Sequence, residues 1–215
     1  MSLLTDLKAY YPMQGNSNDA TAYDADGTDT SMTYGDSYGK WGQGGLFDGA
    51  SSHIFVTKTF TLPAFAFATR RDLSRVCLYL VNGWYENTSV TQALDTWYMY
   101  TMTAEAGQSH TYLYVNGVQV SDFAKDFGVS RSFNIWGKST RETTTDRDRL
   151  MNRDSDIEFA IGSNSTVQHW KGNLDELGIW TRALTTTEVA QLYNGGAGLP
   201  YPLTPFGASF LLRMI

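Results

Sequence analysis

"GNLDELGIWTRALTTTEVAQLYNGG", residues 172–196, reads as a buried strand, an Arg-Ala-Leu corner and a short helix. The helix carries its own start and stop signals. Thr185 can cap the N-terminus, and Glu188 three residues on completes a capping box. Leu184 before the cap and Val189 after it can close a hydrophobic staple, and Val189, Leu192 and Tyr193 share one face. Asn194-Gly195 supplies a left-handed stop. Asp175 and Glu176 stand at the start of the preceding strand, and their role there is the question this stretch raises.

Working outward, the rest of the chain is β-prone. Aromatic residues make up 14% of the 215 positions, beside 20 glycines and only 5 prolines. Aromatic and β-branched side chains suit pleated, half-buried surfaces, and glycine marks turns, which points to an all-β domain. "TYLYVNGVQVSDF" (111–123) predicts a hairpin, because type I′ turns need positive φ at both central residues and Asn116-Gly117 tolerates that. "LKAYY", "GGLFDG", "SHIFVTKTF", "AFAFAT", "RVCLYLVN", "WYMYTMTA", "IEFAIGSN" and "NLDELGIW" supply further strands, roughly ten to twelve in all at the spacing of a sandwich. Residues 16–40, rich in Asp, Ser, Thr, Asn and Gly, read as a long loop or irregular edge. The charged tract 137–156 reads as a solvated loop, with a binding loop as the alternative.

A net charge of −6 argues against a nucleic-acid partner, which would need a basic face. No apolar run reaches membrane-spanning length, so membrane insertion is not expected. The lone Cys77 sits among apolar neighbours and reads as a structural thiol. The opening "MSLLTDLKAYYPM" lacks a secretory pattern, which predicts synthesis in a cytosol, with a secreted mature fragment as the alternative.

Four stretches carry a family resemblance: "LKAYYPMQGNSNDAT", "YGKWGQGGLFDGASSHI", "WYMYTMTAEAGQSHTYLYVNGVQV" and "FAIGSNSTVQHWKGNLDELGIWTRALTTTEVAQLYNGG". In that order they resemble the laminin-G-like jelly rolls of the concanavalin A-like lectin and glucanase superfamily. The resemblance implies a two-sheet antiparallel jelly-roll sandwich over residues 1–199 with one short C-terminal capped helix. It also implies a structural calcium held between the N-terminal loop and the last strand, at Asp19 and Asp175, with Asp24 and Asp26 as further candidates.

Three other sets of residues bear on function. Asp154, Asp156 and Glu158 alternate as the paired carboxylates of laminarinase-type glucanases do. Here the first is Asp rather than Glu and the strand runs into "AIGS", so the reading is non-catalytic. Trp84 with Tyr85, Trp136 and Trp170 lie near loop chemistry, where an exposed ring serves a sugar or a protein interface equally well. Residues 200–215 form an apolar tail whose Phe206, Phe210, Leu211, Leu212, Met214 and Ile215 are expected to dock on a partner subunit or back on the sandwich.

These features together predict a non-catalytic binding or assembly module. The expected setting is a phage virion surface, as capsid decoration, tail or fibre, joined to other virion subunits or to itself, with glycan as a further ligand. The alternative is an extracellular carbohydrate-binding or glycan-hydrolysing module of a bacterial protein.

Overall fold

The computed structural model describes residues 2–60, 65–70, 76–80, 83–87, 90–140, 147–153, 159–163 and 168–203. In chain order, β1 spans Leu7–Tyr11, β2 Thr28–Thr30, β3 Thr33–Gly35, β4 Gly44–Asp48 and β5 His53–Val56. Next come β6 Phe65–Arg70, β7 Val76–Leu80, β8 Gly83–Asn87, β9 Trp97–Ala104 and β10 Thr111–Val115. The last are β11 Val118–Phe123, β12 Arg131–Ser139, β13 Arg147–Arg153, β14 Phe159–Ile161, β15 Lys171–Trp180 and the helix α1 Thr186–Tyr193.

The strands form two antiparallel sheets. Sheet A runs β11-β10-β9-β12-β15-β4-β3, with β1 also paired to β15, and sheet B runs β2-β5-β14-β13-β6-β7-β8. Side chains alternate across each pleat, so one face of each sheet meets the other sheet. Phe65 of sheet B stacks on Phe133 of sheet A at 4.9 Å between ring centroids, and Phe67 meets Tyr100 edge-on at 6.3 Å. Ile54, Leu113, Ile135, Met151, Leu177 and Ile179 fill the same interior. The expected all-β sandwich with one short C-terminal helix is therefore the observed fold.

The outer face of sheet A carries a second apolar cluster, and α1 covers it. Leu184, Val189 and Leu192 pack there with Met99, Tyr114, Trp136 and Trp180. The capping box forms as expected: Thr185 Oγ1 accepts the Glu188 N–H at 3.2 Å, and a Glu188 carboxylate oxygen accepts the Thr185 N–H at 2.9 Å. Asn194 adopts the left-handed conformation that ends the helix. At the β10–β11 hairpin Asn116 and Gly117 both take positive φ, 51° and 76°. That tip lies against α1, because a Cβ on Gly117 would come 2.9 Å from Cβ of Tyr193.

The stretch 16–40, expected as a long loop or irregular edge, contributes the short strands β2 and β3, which pair at the sheet edges with β5 and β4. Two local expectations are corrected. The segment holding Trp84 and Tyr85 is strand β8, paired with β7. Among its described residues the charged tract is mostly strand: its start belongs to β12 and residues 147–153 form β13, paired with β6 through a bulge at Leu150. Arg147, Asp148 and Arg149 are charged in succession, and the buried side is supplied by Leu150 and Met151, adjacent residues at the bulge.

Candidate functional site

The opening question about Asp175 and Glu176 has a structural answer. On one side of β15, residues 171–174 pair with β4 and residues 177–180 pair with β1, so the two acids sit where the neighbour changes. On the other side, Asn134 pairs with Gly178 and Trp136 with Asp175, leaving Ile135 opposite two residues. This is a β-bulge, and Glu176 takes φ 53° to accommodate it. The bulge restores the alternation, so Leu174 and Leu177 both point into the core while two acids lie between them.

Both carboxylates are buried and secure backbone that the strand change leaves unpaired. Asp175 Oδ2 accepts the N–H groups of Lys40 and Trp41 at 2.8 and 3.3 Å, and Oδ1 is buried with no hydrogen-bond partner. Glu176 Oε2 accepts the Tyr10 hydroxyl at 2.7 Å and the Tyr201 N–H at 3.1 Å. Burial is the main cause that pushes the Asp175 carboxyl up to about 8, with the nearby Glu176 charge second. Burial likewise raises Glu176 to about 7.

Of the two residues that the resemblance names for calcium, Asp19 is engaged by the chain itself, whereas Asp175 keeps Oδ1 without a hydrogen-bond partner. Asp19 Oδ1 accepts from the N–H groups of Tyr10 and Thr21, and Oδ2 from the Thr21 hydroxyl and the Ala25 N–H. Four donors occupy the roughly four lone-pair directions of a carboxylate. Asp26 is drawn in as well, accepting the Asp19 N–H at 2.8 Å. Among the described residues no three His, Cys, Asp or Glu side chains gather as a metal site.

The four aromatic candidates separate. Trp136 is 2% exposed, meeting Trp41 edge-on at 5.3 Å and stacking on Tyr193 at 6.1 Å, with Lys40 Nζ 4.2 Å above its ring. Trp170 is 0% exposed, part of the inter-sheet core, and donates its indole N–H to the Asn173 carbonyl. Tyr85 turns inward against that core and packs on Phe123. Trp136, Trp170 and Tyr85 thus pack inside the molecule: strand register aims Trp136 and Tyr85 at apolar layers, and Trp170 enters the core just before β15 begins. Trp84 alternates with Tyr85 and so lies on the outer face of sheet B.

That outer face forms the candidate site. Trp84 stands opposite Tyr79 across β7–β8, their rings 5.5 Å apart and tilted by 59°. The Arg149 guanidinium lies 5.5 Å from the Trp84 ring centroid and donates through Nε to Gln168 Oε1 at 2.7 Å. Along the same face, Ala66, Ala68 and Cys77 are fully covered although they point away from the core. Small side chains here lower the sheet surface beneath two half-buried rings. Rings, a guanidinium and an amide suit a polar ligand that also offers C–H surface. Sequence reading found Trp84 but missed Tyr79, Arg149 and Gln168, which are far apart in the chain. The carboxylates Asp154, Asp156 and Glu158, and the tail residues Phe206 to Ile215, lie outside the described residues.

No protein-family model and no curated protein matches this chain. Two solved structures are similar in fold. One is domain 4 of AbnA, an extracellular GH43 arabinanase from Geobacillus stearothermophilus, in complex with arabinotriose. It is 19% identical, covering 86% of this chain and 97% of that one, with a TM-score of 0.53. The other is the binding domain of Paraclostridial Mosquitocidal Protein 1, 14% identical over 89% of this chain and 52% of that one, also at 0.53. At such identities the likeness is one of fold: the chain is a β-sandwich.

Proposed function

We propose that this protein is a non-catalytic β-sandwich that binds carbohydrate through the outer face of sheet B, in the manner of laminin-G-like and concanavalin A-like modules. The Trp84–Tyr79 ring pair with Arg149 and Gln168 beside it carries the reading. A sugar's C–H face would lie on the rings, and its hydroxyls would bond to the guanidinium and amide. Two similar folds are named for a domain seen with arabinotriose and for a mosquitocidal protein's binding domain, which supports binding over catalysis. The setting we propose is the surface of a phage virion, with residues from Phe206 onward attaching the sandwich to other subunits.

A glycan array probed with the full chain and with Trp84→Ala tests this. Binding to at least one glycan, lost in the variant while its β-sheet circular dichroism is unchanged, is the expected result. Equal binding by both proteins, or hydrolysis of a bound glycan by the wild type, would overturn it.

A further inference from the structure

On the opposite side of the molecule, the outer face of sheet A is only partly covered by α1. Beside the helix, a groove of about 540 Å³ is lined by Thr103, His110, Tyr112, Tyr114, Gln119 and Thr186, among others. A second hollow of about 470 Å³, reaching Ser130, Thr187 and Gln191, shares Glu105, Ala183 and Thr185 with the first. The two therefore adjoin one another beside the N-terminus of α1, and together they are called the channel. Each volume falls within the roughly 300–1,000 Å³ of small-ligand sites, so the channel suits an extended ligand.

Its chemistry narrows the ligand class. Tyr112 is half-buried and flanked across the sheet by Thr103 and Asp122. The His110 ring lies nearly parallel to it, 16° between planes at 6.1 Å, and pairs with the Asp122 carboxylate. Tyr114 OH stands 3.4 Å from Thr186 Oγ1, joining strand and helix across the groove. Hydroxyls, amides and two tyrosine rings dominate, and the basic groups present are paired: His110 with Asp122, and Arg182 with Glu188 at 2.6 Å. That excludes a strongly anionic ligand. Apart from alanines the aliphatic lining of the first hollow is Leu184, 4% exposed, so there is no pocket for the apolar anchor that a protein interface requires.

We infer that this channel is a second carbohydrate site, which takes several residues of a neutral oligosaccharide with Tyr112 as its stacking platform. It is independent of the Trp84 face, lying on the other sheet. The test is an amide chemical-shift titration of the full chain with arabinotriose, cellotriose, maltotriose and chitotriose, repeated on Tyr112→Ala, Gln119→Ala and Trp84→Ala. At least one probe should shift the amides of Thr103, Gln119 and Thr186 saturably. Tyr112→Ala should weaken that response about tenfold or more, Gln119→Ala should weaken it too, and Trp84→Ala should leave it intact. Gln119 is exposed, so its variant keeps the fold if Tyr112→Ala does not. Shifts confined to the Trp84 face would overturn this inference alone. Groove shifts that survive both variants would also overturn it, and no shift with any probe would remove both sites.

Discussion

Replacing Asp175 with Asn should stabilise the protein at alkaline pH and do little at acid pH. The Asn carbonyl can still accept the Lys40 and Trp41 N–H groups, while its amide takes the place of Oδ1, which has no hydrogen-bond partner. The folded carboxyl titrates at about 8 against an ordinary 3.8, so the folded state holds this proton more tightly than the unfolded one. Stability from this group is full below about pH 4 and falls as pH rises towards 8. Glu176 adds the same sign between about 4.5 and 7. Four pH units set a ceiling of roughly 5–6 kcal/mol for the Asp175 contribution. Relaxation and water entry reduce it, and a gain of about 1–3 kcal/mol for the variant at pH 8.5 is expected. Urea unfolding of both proteins at pH 5 and pH 8.5 measures the difference, in which all other titrating groups cancel. An Asn variant destabilised equally at both pH values, or a wild type more stable at pH 8.5 with no variant gain, would refute the reasoning. On the acid side Arg182 holds Glu188 down at about 2, and stability from that pair is lost as pH falls below about 4.5.

Two further outcomes follow from the site geometry. Thr185→Ala removes the acceptor for the Glu188 N–H and should cost about 0.5–2 kcal/mol, seen as a melting temperature lower by a few degrees; an unchanged melt would mean that packing alone fixes the helix start. Because Asp19 already accepts four hydrogen bonds, adding a chelator should leave the melting curve where it is. A bound ion at a hundredfold excess over its dissociation constant would add about 2.7 kcal/mol, so a calcium-dependent rise of roughly 5–10 °C would show that Asp19 exchanges its donors for a cation.

Features written into a few neighbouring residues were legible in the sequence. The capping box of Thr185 and Glu188, the stop at Asn194 and the Asn116-Gly117 turn all appear where the local chemistry demands them, since each is satisfied within about four residues. The run of alternating segments gave the sandwich for the same reason. The facing of individual aromatics was not legible. Trp84 and Tyr85 are neighbours, yet one lies on the outer face and the other against the core, and only the register with β7 decides which. Trp136 and Trp170 are buried by residues remote in sequence, Tyr193 and Trp41 for the first and the inter-sheet layer for the second. The role of the acidic pair was equally hidden. A bulge opposite Ile135 and a change of neighbour from β4 to β1 put two adjacent carboxylates at a gap in the ladder, where buried N–H groups need acceptors. Local sequence therefore determined the helix with its two ends, the hairpin turn and most of the strands, whereas long-range strand pairing recruited β13 and decided which side chains became site, core or staple, because a shift of one residue reverses every face.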